Sequence, residues 1–131
     1  MSKKRHPEPL VFSTTDVFGN LVVLAQATWN EHIIDIDGHP EMAGWEQAVY
    51  DVIGDPHEVR LSTEYDTGVA FISDANVGPR PEGIRAIVGF AEKFYEKGAT
   101  TGMVITAYPI DIVNYRNPRI GKTIYKKGGR K

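Results

Sequence analysis

Ile84-Arg-Ala-Ile-Val-Gly-Phe-Ala91 decides the fold, because it supports two readings. Continued to Tyr95, the residues Ile84, Ile87, Val88, Ala91, Phe94 and Tyr95 fall at helical spacing, with Gly98 placed as a C-cap. The same residues also suit a buried strand pairing with 102–108. Spacing and propensity by themselves favour the helix.

The flanks are clearer. Met103-Val-Ile-Thr-Ala-Tyr108 is β-branched, bounded by Gly102 and Pro109, and reads as a strand. Lys122-Thr-Ile-Tyr125 suits a short last strand. Upstream, Glu58-Val-Arg-Leu-Ser-Thr-Glu64 alternates with period 2, Tyr65-Asp-Thr-Gly68 turns, and Val69-Ala-Phe-Ile-Ser73 follows as a second strand, with a Gly/Pro-rich loop over 76–83. Before Pro56 the period is 3.6. Thr28 with Glu31 forms a capping-box pattern, Trp29, Ile33 and Ile36 fall on one face, and Gly38 stops that helix. His39-Pro40-Glu41 opens a second helix with the stripe Met42, Trp45, Val49, Val52 and Ile53, ended by Gly54 and Asp55-Pro56. Leu10-Val-Phe-Ser-Thr14 and Leu21-Val-Val-Leu24, either side of a turn at Gly19-Asn20, are further short strands. The resulting plan is α+β.

The chain has 131 residues, 41% hydrophobic and 24% charged, the balance of one folded domain. The expected organisation is a flexible basic arm over 1–9, a single domain over 10–127 and a flexible basic tail over 128–131. No apolar run approaches the roughly 20 residues that span a bilayer, and no apolar core follows the basic N-terminus as in a signal peptide, so the expected compartment is the cytoplasm. Cysteine is absent, which excludes disulfides, a thiolate nucleophile and Cys-ligated zinc. The net charge of −2 conceals an asymmetry. From Arg116 to Lys131 there are seven basic residues and no acid, and Lys3, Lys4 and Arg5 add three, leaving 6–115 with five basic residues against all seventeen acids. Basic ends on an acidic body read either as solvated tails or as an anion-binding strip suited to nucleic-acid phosphate, with Arg116, Arg119, Lys122 and Lys126 as the contacts.

The densest cluster of reactive side chains is Trp29-Asn-Glu-His32-Ile-Ile-Asp-Ile-Asp-Gly-His39-Pro-Glu41-Met42. Histidine both takes and gives a proton near neutrality, and His32, His39 and Glu41 lie within ten residues. Taken singly, each His is as well explained as a half-buried helix residue or an N-cap. Neither HExxH spacing nor a cysteine supports a metal, so no metal or other cofactor is expected. Thr106 and Tyr108 share one face of their strand, where they are candidates for positioning a phosphate, with Lys122 downstream to stabilise developing charge.

Trp29-x-x-His32-Ile, His39-Pro-Glu-Met42, the helix end at Asp55-Pro56, Val104-Ile-Thr-Ala-Tyr108 and Lys122-Thr-Ile-Tyr-Lys126 together resemble the phage-associated barnase–EndoU–colicin–RelE-like nuclease domains, over roughly residues 20–127. The resemblance implies two N-terminal helices packed on a four- to five-stranded antiparallel sheet, which turns 84–91 into a strand. It also implies a metal-independent, toxin-type endoribonuclease. On that reading His32 and His39 are the acid–base pair in either order, Glu41 is an orienting or basic carboxylate, Thr106 and Tyr108 position phosphate, RNA is the substrate, and a cognate inhibitor or immunity protein is a further partner. Two features depart from the family pattern: a long Gly/Pro-rich 58–101 region and an acidic body. The alternative is a non-catalytic nucleic-acid-binding or protein-interaction module on the same fold.

Overall fold

The computed structural model describes residues 9–62, 67–92, 97, 98, 100–110 and 120–128. The expected turn residues Tyr65 and Asp66, the apolar Phe94 and Tyr95, the basic Arg116 and Arg119, and most of the arm and tail lie outside them.

Among the described residues seven strands form one sheet: β1 (Leu10–Thr15), β2 (Leu21–Ala25), β3 (Glu58–Ser62), β4 (Gly68–Ile72), β5 (Ile84–Phe90), β6 (Thr101–Pro109) and β7 (Ile120–Lys126). Their order across the sheet is β1-β2-β6-β5-β4-β3-β7. Between β2 and β3 run a short helix α1 (Gln26–Thr28), a π-helical turn (Trp29–Ile33), a 3-10 turn (Pro40–Met42) and the helix α2 (Glu46–Gly54). Among the described residues no helix is long and apolar enough to cross a membrane.

This corrects the expected architecture of two N-terminal helices on a four- to five-stranded antiparallel sheet. The sheet is mixed, because β2 joins β6 in parallel, Leu21 to Val23 against Thr101 to Met103, while the remaining pairs are antiparallel. The N-terminal hairpin is thus part of the sheet. Its turn is built from buried polar groups. Asp16 Oδ1 accepts the backbone N–H groups of Phe18 (2.9 Å) and Asn20 (2.8 Å), and Asn20 Oδ1 accepts the N–H of Thr100 (3.2 Å), which ties the start of β2 to the start of β6.

The helices are also shorter than their apolar stripes suggest. Thr28 lies inside the helical turn and makes no side-chain cap, and Ile36 falls beyond it, 84% exposed. The second stripe is broken at Ala43-Gly44. Gly44 adopts φ +89°, a left-handed conformation that L side chains rarely adopt, so Met42 belongs to the 3-10 turn and only Val49, Val52 and Ile53 are buried from α2. That i, i+3, i+4 set meets Val22, Leu24, Val59, Val69, Phe71, Ile84, Ala86 and Val88 of the sheet in one core, joined by Trp29, Ile33 and Met42.

The segment 84–90 is a strand because both of its faces are covered. Ile84, Ala86 and Val88 join the core beneath α2, while Arg85 and Ile87, on the opposite face, are also buried. The sheet curls around α2 far enough that Phe18, in the first hairpin turn, meets Tyr125 of β7 edge-on at 6.2 Å. Past β7, Lys127 donates from Nζ to Asp55 Oδ2 at 3.1 Å, and this hydrogen bond and the carboxylate charge raise the ammonium pKa above its ordinary 10.5.

Ile53→Ala is expected to lower stability by about 2–5 kcal/mol by opening a cavity under α2, whereas Ile36→Ala should stay within about 0.5 kcal/mol of wild type; denaturant unfolding of the two variants checks both. Because the Lys127 pKa is raised, its small contribution to stability is present at neutral pH and is lost as pH rises through the raised value. Lys127→Met should therefore melt below wild type at pH 7, and the gap should close in strongly alkaline buffer.

Candidate active site

β6 is nine residues long, but β2 pairs with only its first three. Alongside Val104 to Pro109, α1, the π-helical turn and the 3-10 turn take the place of a neighbouring strand and contact β6. The chain doubles back there through Asp35-Ile-Asp-Gly38. Asp35 O accepts the N–H of Gly38 (2.8 Å), Asp35 Oδ2 accepts that of Asp37 (3.1 Å), and Ile33 O accepts that of His39 (2.6 Å). Gly38 is required by close approach, since a Cβ on it would collide with the carbonyl oxygens of His32 and Ile33. Ile33 and Met42, both fully buried, bracket the return, and His39 sits between them just before Pro40.

This placement lays the His39 imidazole against the Tyr108 ring of β6, centroids 5.2 Å apart and planes tilted by 39°. Glu41 Oε2 is 4.0 Å from His39 Nδ1, within ion-pair range but longer than a hydrogen bond, and both side chains are about one-third exposed. Tyr108 is directly opposite Arg85 of β5. The Arg85 guanidinium lies 5.6 Å from the Tyr108 ring centroid, and its Nη1 donates to Tyr108 Oη at 3.4 Å. Arg85 is 2% exposed, so its permanent charge acts from a medium of lower dielectric than water. Thr106, half-buried, is opposite Ile87 and shares a strand face with Tyr108.

The four groups run in the order Glu41, His39, Tyr108, Arg85. A carboxylate faces one ring nitrogen of an imidazole, leaving the other for proton transfer; a phenol stands beside it, and a fixed cation backs the phenol. Such a set can move a proton and hold a negatively charged oxygen at one place.

The structure brings together His39, Glu41, Tyr108 and, along the strand, Thr106. It does not bring in His32, which is exposed on the π-helical turn; among the described residues no hydrogen bond, ion pair or ring contact joins it to His39, Glu41 or Tyr108. Lys122 and Lys126 are exposed on β7, with β5, β4 and β3 between that strand and β6, and Lys126 is opposite Glu58. Among the described residues no group of three His, Asp or Glu gathers as a metal site. Arg85 was not recognisable as a site residue by motif. Its signal is a lone basic side chain inside the apolar run 84–90. A second His–carboxylate pair also escaped the sequence: His57 Nδ1 lies 3.1 Å from Asp74 Oδ1, at the far ends of β3 and β4.

Comparison of the chain with protein-family models, curated proteins and solved structures finds no match in any of the three. The functional reading therefore rests on the residues and their arrangement.

Gly38→Ala is expected to lower stability by roughly 1–3 kcal/mol through the forced backbone shift, and to move His39 off Tyr108. Thermal melts report the first effect. Loss of the Tyr108 ring-current shift on the His39 imidazole protons, in NMR spectra of the variant, reports the second.

Proposed function

We propose that the chain is a metal-independent endoribonuclease of toxin type, acting at the His39–Tyr108 site. The observation that carries this reading is the convergence of a proton-exchanging imidazole, its carboxylate neighbour, a phenol and a buried guanidinium at one end of β6. The sequence resemblance to phage-associated barnase–EndoU–colicin–RelE-like nuclease domains points the same way, although the sheet differs from that family's plan. RNA is the substrate because it carries its own nucleophile: the 2′-OH attacks the adjacent phosphorus, the bond to the 5′ oxygen breaks, and a 2′,3′-cyclic phosphate remains.

In this scheme His39 exchanges the proton, with Glu41 orienting the imidazole through Nδ1. Tyr108 and Thr106 hold the phosphate, and Tyr108, its ring against the imidazole, is the second group to pass a proton. Arg85 positions the phenol and offsets charge developing on the phosphorane. This replaces the His32–His39 pair expected from the sequence by His39 with Tyr108. An RNase of this kind acts in the cytoplasm, where RNA is abundant, and a cell making it needs a cognate inhibitor.

One observation favours a second reading, a nucleic-acid-binding module. Lys122 and Lys126 are both exposed on the edge strand β7. Lysines on an edge strand also prevent edge-to-edge pairing, which needs no ligand at all. Truncation of the basic C-terminal segment cannot distinguish the two readings, since β7 belongs to the sheet; Lys122→Gln/Lys126→Gln can.

Incubated with mixed cellular RNA in excess EDTA, the wild-type chain is expected to leave cyclic or 3′ phosphates. His39→Ala should lower cleavage about 10²–10⁴-fold, and Tyr108→Phe should lower it at least tenfold, with melting temperatures close to wild type. His32→Ala should remain within a few-fold. Absence of cleavage with or without divalent ions, alongside RNA affinity lost in the double Gln variant, would transfer the function to binding through β7.

A further inference from the structure

A cleft of about 710 Å³ runs along the outer side of α2, its walls including Trp45, Tyr50, Asp51, Asp55, Asp74 and Val77. Its lining begins at Gly44, two residues after the 3-10 turn that carries Glu41, and includes Asp74 of the His57–Asp74 pair. Its size is that of a ligand-binding cleft and not of a packing void. Three features define what it can take. Part of its lining is apolar, from Ala48, Val52 and Val77. Trp45 and Tyr50 are among the few large hydrophobic side chains left substantially exposed, 38% and 39%. Its charged lining is all acidic among the described residues: three aspartates and no lysine or arginine.

One cation already sits on this rim, where Asp55 holds the Lys127 ammonium at 3.1 Å; Asp74 Oδ1 lies 3.1 Å from His57 Nδ1. Asp51 accepts only the Gln47 amide, at 2.9 Å, among the described residues, which leaves its carboxylate charge without a cationic neighbour. A phosphate chain is repelled here, so the cleft is not a continuation of an RNA path. A small inorganic cation would leave the apolar lining and the exposed part of Trp45 in water, while Tyr50 packs edge-on against Phe12 with ring centroids 5.4 Å apart.

We propose that this cleft docks a basic segment of a partner protein, with Lys or Arg side chains reaching Asp51 and Asp74 while an apolar side chain between them rests on Val52 and Val77 beside Trp45 and Tyr50. Exposed aromatic rings next to carboxylates suit alkylammonium and guanidinium groups, which gain from the ring face as well as from the charge. The partner supplies complementary charge, which sets approach and register more than it sets affinity. The docking does not depend on whether His39 cleaves RNA, and its test is a binding measurement alone.

The full chain is titrated with the synthetic peptide Lys-Leu-Arg-Leu-Lys-Arg, with Trp emission and calorimetry as readouts. The chain has two tryptophans, and Trp29 is buried at 2% exposure, so a saturable change in emission reports Trp45. Expected are saturable binding, weakening with salt, no binding of the matching Glu-Leu-Glu-Leu-Glu-Glu peptide, and about tenfold weaker binding in Asp51→Asn. Asp74→Asn is a second variant. Since it also releases His57, its binding is read only with a circular dichroism spectrum matching wild type. The proposal is overturned if the basic peptide fails to saturate any signal at millimolar concentration. Equal binding by Asp51→Asn and wild type, or spermidine binding as tightly as the peptide, overturns it as well; the last result would make the cleft a site for small polyamines.

Discussion

The arrangement depends on a mismatch of lengths: β6 outruns its parallel neighbour. β2 pairs with β6 over three residues and after them only with β1, yet β6 continues for six more residues that carry Val104, Thr106, Ala107 and Tyr108. Backbone and apolar side chains on that stretch have to be covered. The chain covers them with the segment it is already making, turning Gln26–Ile33 and Pro40–Met42 along the strand and burying Trp29, Ile33 and Met42. The same manoeuvre puts His39 on Tyr108. Fold and candidate site are two consequences of one packing requirement, and Gly38 is the residue that lets the chain reverse tightly enough to meet it.

Charge is segregated on this scaffold as it is along the chain. The side of α2 carries Asp51, Asp55 and, beside it, Asp74, while the exposed lysines of the described residues concentrate on β7 and just beyond it. The buried Arg85 stands apart from both. It sits within the sheet beside Tyr108, where the guanidinium is shielded from solvent and contacts the phenol. A buried cation beside the Tyr108 phenol makes a local positive site on a chain whose 6–115 stretch is acidic, without a wide basic surface.

Much of the local structure was legible. Six of the seven described strands lie where period-2 patterning or β-branched runs put them, because alternation along a strand is a local property of the chain, whereas the spacing of 84–90 favoured a helix. The helical segments were less so. Val49, Val52 and Ile53 were recognised correctly as a buried stripe, but the stripe was extended through Trp45 and Met42 across Gly44, whose positive φ breaks the helix. Ile36 matched the spacing of Trp29 and Ile33 and is nonetheless in solvent, since the chain turns away at Ile34. Of the candidate site, His39, Glu41, Thr106 and Tyr108 were named from residue type and spacing. His32 matched them in chemistry but lies on the exposed side of a π-helical turn, a geometry that no helical wheel anticipates. Arg85 went unnamed because a single arginine in an apolar run carries no motif.

Local sequence shows, outside 84–90, where the chain extends and where it coils, that a hairpin precedes the helical segment, and which side chains near His39 can exchange protons. These follow from periodicity, turn residues and intrinsic chemistry, all of which act over a few residues. Tertiary structure alone decided the rest. Whether 84–90 extends or coils depends on its having β4 on one side and β6 on the other, since a continuous apolar run satisfies helix and buried strand equally until neighbours are assigned. The order of the sheet depends on the parallel docking of β2 on β6, a contact between residues about eighty positions apart, held by Asn20 and Thr100. The meeting of His39 with Tyr108 and of Tyr108 with Arg85 has the same origin: side chains far apart in sequence become neighbours only when burial of the core chooses one closed packing of the whole chain.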